Sequence, residues 1–188
     1  MKKLILSMLL AASAVLTVQA QKIHIGAKGG LNIANLTEID DSKARVSGHV
    51  GGFVNIRFHQ WALQPELYFS GQGAKYKVPI TNADRTLALN YINMPVMFQY
   101  YIIPQFYLEA GPQLSLLVSA HDKGGNLSVD TKDLYNSADI SAGIGLGVKL
   151  PFHFGVYGRY NFGITDIYDS AIDSRNSVGQ IGVSYTFF

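Results

Sequence analysis

The last nine residues, 180–188, constrain the fold more than any other part of the chain. Apolar or aromatic side chains stand at every second position, with small or polar ones between them. A period of two is typical of a β-strand with one apolar face, because successive strand side chains point to opposite faces. The segment ends on aromatic residues, which sit well at a membrane interface. We therefore interpret it as a strand whose apolar face meets lipid.

The same alternation recurs in seven earlier segments, separated by polar stretches rich in Gly, Asn, Asp and Ser. These segments are 23–33, 46–58, 61–70, 87–100, 106–118, 139–150 and 154–165. In the fourth segment the apolar parity changes between Tyr91 and Ile92. The change predicts a β-bulge near Tyr91, because an extra residue would return the apolar side chains to one face.

The connections between the eight segments alternate in length. Short ones lie around Gln60, 103–105 and 151–153, and long polar ones lie near 35–45, 71–85, 120–137 and 166–176. Outer-membrane barrels have short periplasmic turns and longer extracellular loops. The chain is therefore predicted to be all-β, an eight-stranded antiparallel transmembrane up-and-down barrel of OmpA/OmpX-like architecture, with both ends periplasmic.

A soluble β-sandwich or a lipocalin-like barrel is the rival architecture, because both also alternate. Two features favour the membrane. The apolar face persists over six or seven alternate positions, close to the ~9–11 residues that a tilted strand needs to cross. The opposite face carries charges, which we expect to lie together inside as a salt-bridged plug or, alternatively, as a gated polar pathway. This predicted interior cluster is Lys28, His49, Arg57, Glu66, Glu109, Asp139, Lys149 and Arg159.

The beginning of the chain resembles a secretory signal peptide. Lys2 and Lys3 precede an apolar run to Val18, and Ala20 is a small residue of the type that precedes cleavage. We predict a cleaved signal peptide at 1–20 and a barrel domain at 21–188, with a retained anchor as the weaker alternative. Removing Lys2 and Lys3 leaves 13 basic against 13 acidic residues, so no basic surplus indicates nucleic acid. With no Cys, a disulfide scaffold is excluded.

Several segments, in order, resemble the PorT-like family of small outer-membrane β-barrel proteins of the Bacteroidetes. They are Gly26–Asn32, Gly51–Phe53, Leu63–Tyr68, Tyr91–Pro95 and Glu109–Pro112. The resemblance implies an outer-membrane barrel in a Gram-negative bacterium. Some relatives belong to a secretion apparatus, so it implies a structural or interaction barrel that presents extracellular loops, with a role in secretion or envelope assembly. The alternative is a small porin-like pore for ions or solutes.

The C-terminal segment also resembles the signal read by the barrel-assembly machinery, through Gln180, Gly182, Tyr185 and Phe187. A terminal edge strand can add to the sheet edge of that machinery. The alternative is a last strand that only contributes aromatic side chains to the membrane interface. In either case we expect this strand to pair with the segment 23–33 and close the barrel.

No pattern indicates an enzyme, a metal or a cofactor. His121, Asp122, Ser128 and Asp130 share one predicted loop without a nucleophile signature. The five His residues lack metal-ligand spacing, and the acidic group at 166, 169 and 173 lacks the calcium-loop pattern. The predicted partners are the outer-membrane bilayer, the assembly machinery during biogenesis, and envelope or secretion proteins.

Overall fold

A computed structural model describes residues 22–36, 43–77, 84–124, 127–130, 137–164 and 176–188. Within these ranges nine strands are formed: β1 (Lys22–Leu36), β2 (Lys43–Phe58), β3 (Trp61–Lys77), β4 (Asp84–Tyr101), β5 (Phe106–Gly124), β6 (Leu127–Asp130), β7 (Ala138–Lys149), β8 (Phe154–Gly163) and β9 (Asn176–Thr186). A 3-10 turn, Pro151–His153, joins β7 to β8. No helix in these ranges is long and apolar enough to cross a membrane.

Eight of the strands close into an antiparallel barrel in the ring order β1-β2-β3-β4-β5-β7-β8-β9. The pairing of β4 with β5 completes one side of the ring, and β1 pairs with β9 from Gly26–Thr186 to Leu36–Asn176. The ninth strand, β6, pairs with the far end of β5. The predicted eight-stranded barrel is therefore confirmed, as is the predicted pairing of the first and last segments.

The two faces of the barrel wall differ in chemistry. In β5, Leu108, Leu114 and Leu116 are exposed on the outer surface, whereas Glu109 and Gln113 are buried inside. The strands β7 and β8 alternate in the same way. Because successive strand residues point to opposite faces, a polar interior and an apolar outer belt follow directly from the period-two pattern.

Aromatic side chains collect on the outer surface at the short-turn end. The Trp61 ring lies 4.4 Å from that of Tyr100 and 4.8 Å from that of Phe98, measured between centroids. On the other side of the barrel, the Tyr185 ring lies 5.1 Å from Phe154 and 5.7 Å from Phe187. Rings at this level are suited to the boundary between lipid and water, where an apolar body and a polar edge are both satisfied.

The predicted bulge near Tyr91 is on the wrong strand: the structure has it in β5 and not in β4. The register shifts where Asn90 pairs with Ser119 and Tyr91 pairs with Leu117, so the extra residue is Val118 of β5. In β4 the parity never changes: Leu87, Leu89 and Tyr91 are buried inside the barrel. These apolar side chains fill the interior near the long-connection end, which the alternation alone had not indicated.

The predicted long loops are partly strand. In the predicted loop 35–45, β1 continues to Leu36 and β2 starts at Lys43. The barrel wall continues to Lys77 in β3 and starts again at Asp84 in β4, within the predicted loop 71–85. The predicted loop 120–137 contains the end of β5 and all of β6. Backbone pairing extends the strands beyond the apolar belt, where the side chains become polar. The signal peptide predicted at 1–20 and most of the loop 166–176 lie outside the described residues.

Candidate functional site

Four charged side chains occupy one level of the barrel interior. They are Lys28 of β1, Glu66 of β3, Glu109 of β5 and Arg159 of β8, and each is buried. In the ring order these four strands are every second strand of the barrel. The side chains therefore approach the barrel axis from four evenly spaced directions. We call this set the charged layer.

Arg159 is the centre of the charged layer. Its Nη1 donates to Glu66 Oε2 at 2.9 Å and its Nη2 to Glu66 Oε1 at 2.7 Å. Its Nε donates to Glu109 Oε1 at 2.7 Å. The strands β3 and β8 are four steps apart in either direction around the ring, so the bidentate pair joins opposite walls. The barrel lumen is bridged at this level by one side chain.

Lys28 completes the charge balance of the layer. Its Nζ donates to Glu66 Oε2 at 2.9 Å and lies 4.0 Å from the centroid of the Tyr157 ring. Two cations thus face two carboxylates. A buried charge without a partner is strongly unfavourable, whereas this layer is neutral as a whole and paired through hydrogen bonds.

Amide side chains hold the two carboxylates from the short-turn side. Gln64 Nε2 donates to Glu66 Oε1 at 2.8 Å, and Gln99 Nε2 donates to Glu109 Oε2 at 3.0 Å. Asn55 Nδ2 donates to both amide oxygens, at 2.9 Å to Gln64 and 2.8 Å to Gln99. These bonds orient the carboxylates and connect β2, β3, β4 and β5 across the interior.

A second polar network lies next to the charged layer. His49 Nδ1 is 2.6 Å from Asn32 Oδ1, and His49 Nε2 is 2.5 Å from Tyr157 Oη. Asn32 Nδ2 also donates to Ser70 Oγ at 2.8 Å, and Gln180 Nε2 donates to Asn32 Oδ1 at 3.1 Å. Since Tyr157 contacts Lys28 as well, the two networks are continuous.

Aromatic rings fill the space above interior glycines on neighbouring strands. Tyr107 stands opposite Gly147, and Tyr157 stands opposite Gly182. A Cβ on Gly147 would lie 2.3 Å from the Tyr107 ring, and one on Gly182 would lie 2.7 Å from Tyr157 Oη. The glycines are therefore required by packing, because only a residue without a side chain leaves room for the ring.

The structure separates the eight residues of the predicted interior cluster by depth. Besides the charged layer it places His49 in the adjoining network. Arg57 and Lys149 are half-buried at the short-turn end, where their charged groups lie 3.7 Å and 4.9 Å from the Tyr101 ring centroid. Asp139 is buried further along the barrel, opposite Ser115. Depth depends on strand register, which the sequence pattern does not encode.

Uncharged amides and tyrosines make many of the interior hydrogen bonds, and they lie outside the predicted cluster. Asn32, Asn55, Gln64, Gln99 and Gln113 are all buried. Each stands on the polar parity of its segment, so the alternation was the signal that could have identified them. A rule that searches for charged residues alone misses them.

The residues of the predicted assembly signal lie on both faces of β9. Gln180 is buried inside, whereas Tyr185 and Phe187 are exposed on the outer surface. Beyond the strand, Phe187 N donates to Ile25 O at 2.8 Å, and Ile25 N donates to Phe188 O at 3.2 Å. The last two residues thus continue the pairing with β1. Their role in assembly stays a prediction.

Metal binding finds no support in the part of the chain that the structure describes, where no group of three or more His, Asp or Glu could hold an ion. His121 and Asp122 lie on β5, while Ser128 and Asp130 lie on β6, with His121 paired in register with Asp130. Their backbone register places these residues on one hairpin beyond the apolar belt.

Comparisons with known proteins agree with this architecture. The structure is similar to that of Neisserial surface protein A, with TM-score 0.57 and 13% identity over 90% of this chain and 100% of that chain. It is also similar to Ail, the attachment invasion locus protein of Yersinia pestis, in complex with the heparin analogue sucrose octasulfate, with TM-score 0.55 and 14% identity over 88% of this chain and 99% of that one. No curated protein sequence matches the chain significantly. The family described as "Outer membrane protein beta-barrel domain" matches residues 19–169, most of the chain, and the protein therefore belongs to this family of outer-membrane barrels.

Proposed function

We propose that the protein is a non-conducting barrel, a structural scaffold in the outer membrane that presents its long-connection end to protein partners. The observation that supports this function is the ion pair of Arg159 with Glu66 and Glu109, which bridges the lumen between opposite walls. An eight-stranded barrel is just wide enough for side chains to fill its interior. A bridge at the axis leaves ions no continuous path at that level.

Further side chains support occlusion on the long-connection side of the charged layer. Tyr68 Oη donates to Gln113 Oε1 at 2.6 Å across the interior. Beyond it, Leu89, Tyr91 and Leu117 are buried within the barrel. A porin-like pathway would need all these layers to move together. The polar interior is therefore better explained as a hydrogen-bonded filling than as a pore lining.

The wall that continues beyond the apolar belt supports an interaction role. The polar ends of β3, β4 and β5 pair with one another there, and Arg85 Nη1 lies 2.7 Å from Asp122 Oδ2 between β4 and β5. Among the described residues, β6 pairs with β5 alone. Its other edge presents backbone donors and acceptors to which a strand of a partner protein could add.

The family type, the export signal and the cellular role are also part of this proposal. We infer a PorT-like barrel of the Bacteroidetes type, exported by a signal peptide at 1–20 and acting in secretion or envelope assembly. The resemblance of the segments Gly26–Asn32 and Leu63–Tyr68 supports this inference. Detection of a mature N-terminus at Gln21 by mass spectrometry of isolated outer membranes would support the export step.

Bilayer conductance tests the proposal against the pore alternative. The purified barrel in a planar bilayer is expected to show no steady open channel at any salt concentration. The Glu109→Ala variant is expected to lose stability, because Arg159 then loses one of its two carboxylates. Steady, salt-dependent channels from the natural chain would overturn the proposal. A Glu109→Ala barrel that keeps its unfolding midpoint but conducts would also overturn it.

A further inference from the structure

A cavity of about 370 Å³ opens at the short-turn end of the barrel. Its floor is formed by Lys28, Asn55 and Gln64 of the polar interior, and its mouth by the turn that joins β7 to β8. The volume is within the ~300–1,000 Å³ range of small-molecule sites. In outer-membrane barrels the short turns face the periplasm, so this cavity is reached from the periplasmic side.

Cations at the cavity lack the carboxylate partners that the charged layer has. Lys149 lines the cavity, and Arg57 lies against the same Tyr101 ring as Lys149. Among the described residues, no side-chain carboxylate lies within 4.0 Å of Lys149 or Arg57. Glu66 and Glu109, by contrast, are engaged by Arg159 deeper in the barrel. The described residues that line the cavity include cationic groups and no side-chain carboxylate, which favours an anionic ligand.

The remaining walls are apolar and aromatic. Phe53, Tyr101 and Tyr107 line the cavity from the interior, and Leu150 and Phe154 line it near the mouth. Such walls favour a ligand with a flat or apolar body, because that body removes aromatic surface from water. The polar groups are few and lie together, which orients one charged end of a ligand.

The turn at the mouth has left-handed backbone at two residues that carry side chains. Phe152 and His153 both have positive φ, at 60° and 67°, which is costly for residues with a side chain. Phe152 lines the cavity and is 86% exposed. Strained backbone of this kind tends to be retained at ligand sites. Here it holds an aromatic side chain at the rim.

We propose that this cavity binds an organic monoanion, a carboxylate or phosphate head joined to an apolar or aromatic body, from the periplasmic side. The head lies near Lys149, with Arg57 adding to the field, and the body packs against Phe53 and Tyr107. The same chemistry is offered by a soluble organic anion and by an anionic lipid of the inner leaflet. The site is independent of whether the barrel conducts, because the charged layer separates it from the opposite end.

Calorimetry with 1-naphthoate tests the site, using the full barrel in nanodiscs of neutral phosphatidylcholine. The natural chain is expected to bind 1-naphthoate and not its uncharged analogue 1-naphthalenemethanol. Lys149→Gln is expected to weaken binding by about tenfold or more, whereas Lys149→Arg retains it. Lys22→Gln is the matched control, since it removes the same charge at the same end outside the cavity lining. A heat-dependent shift on SDS gels verifies that each variant is folded.

The outcomes separate the proposal from non-specific attraction. Equal weakening by Lys22→Gln and Lys149→Gln, or no binding of 1-naphthoate by the natural chain, would overturn it. A second set of nanodiscs made with phosphatidylglycerol distinguishes the source of the anion. Loss of 1-naphthoate binding there identifies the lipid as the occupant, and retained binding identifies a soluble anion.

Discussion

Arg159 donates two hydrogen bonds to the Glu66 carboxylate, at 2.9 and 2.7 Å, from the opposite wall of the barrel. No pair of strands could be further apart in an eight-membered ring than β3 and β8. Bidentate geometry of this kind is directional as well as strong. The pair therefore fixes the distance between β3 and β8, and the same two side chains close the lumen.

Removing the guanidinium of Arg159 is expected to destabilise the barrel more than removing the ammonium of Lys28, which lies in the same charged layer. Arg159→Met leaves Glu66 and Glu109 with only Lys28 as a cation, at an expected cost of about 3–5 kcal/mol. Lys28→Met leaves the bidentate pair intact and is expected to cost about 2 kcal/mol. Urea unfolding, followed through the fluorescence of the only tryptophan, Trp61, measures both free energies.

Arg85→Met is the control for loss of an arginine. Its pair with Asp122 is at the polar end of the wall, where the Arg85 side chain is 37% exposed, so water screens the interaction. The expected cost is about 1 kcal/mol or less. A cost for Arg85→Met as large as that for Arg159→Met would show that position in the barrel does not matter.

The alternation of apolar and polar residues predicts much of the fold. It does not predict which side chains meet inside the barrel. The alternation around Glu66 and Glu109 indicates that both face inward. It cannot show that they meet at the same Arg159 while Arg57 remains at the barrel mouth, because that depends on the stagger of neighbouring strands. Leu89 and Tyr91 were assigned to the wrong face for a related reason. The interior is polar near the charged layer and includes large apolar side chains as well as polar ones further along.

The short strand β6 was not predicted, also for a physical reason. It has four residues, Leu127–Asp130, and four residues are too few for a periodic signal. Its backbone pairs with β5 between Gly124 and His121. The pairing comes from the hairpin geometry that β5 imposes on the following residues.

Gly147→Ala is expected to destabilise the barrel by about 1–3 kcal/mol through overpacking. The new Cβ would lie 2.3 Å from the Tyr107 ring, which is itself buried and held by its neighbours. Gly158→Ala is the matched control in the next strand, since the nearest atom to its Cβ would be 3.9 Å away. Thermal unfolding of the two variants compares them, and equal midpoints would contradict the packing role of Gly147.

Deletion of residues 185–188 is expected to block insertion into the outer membrane. The deletion removes the backbone bonds that Phe187 and Phe188 make with Ile25, together with the ring contacts of Tyr185. Membrane flotation and the heat-dependent gel shift measure insertion. A Phe187→Leu variant keeps the backbone pairing with β1. It therefore separates the effect of losing an aromatic side chain from the effect of losing that pairing. Normal insertion of the deleted chain would refute the assembly role.

Replacing Phe152 and His153 by Asn and Gly is expected to stabilise the barrel by about 1 kcal/mol or more. Both positions have positive φ, which Asn and Gly adopt readily. Phe152→Leu keeps the strained backbone and is expected to leave the unfolding midpoint unchanged. If the double replacement is neutral, the strain assigned to this turn is absent.

A double-mutant cycle on Glu66 and Arg159 measures whether one ion pair joins opposite walls of the barrel. The free energies of unfolding of the natural chain, Glu66→Gln, Arg159→Met and the double variant are measured in the same lipid. We expect the two changes to be strongly non-additive, with a coupling free energy of about 2 kcal/mol or more. Additivity within about 0.5 kcal/mol would contradict it, because residues without a shared interaction behave that way.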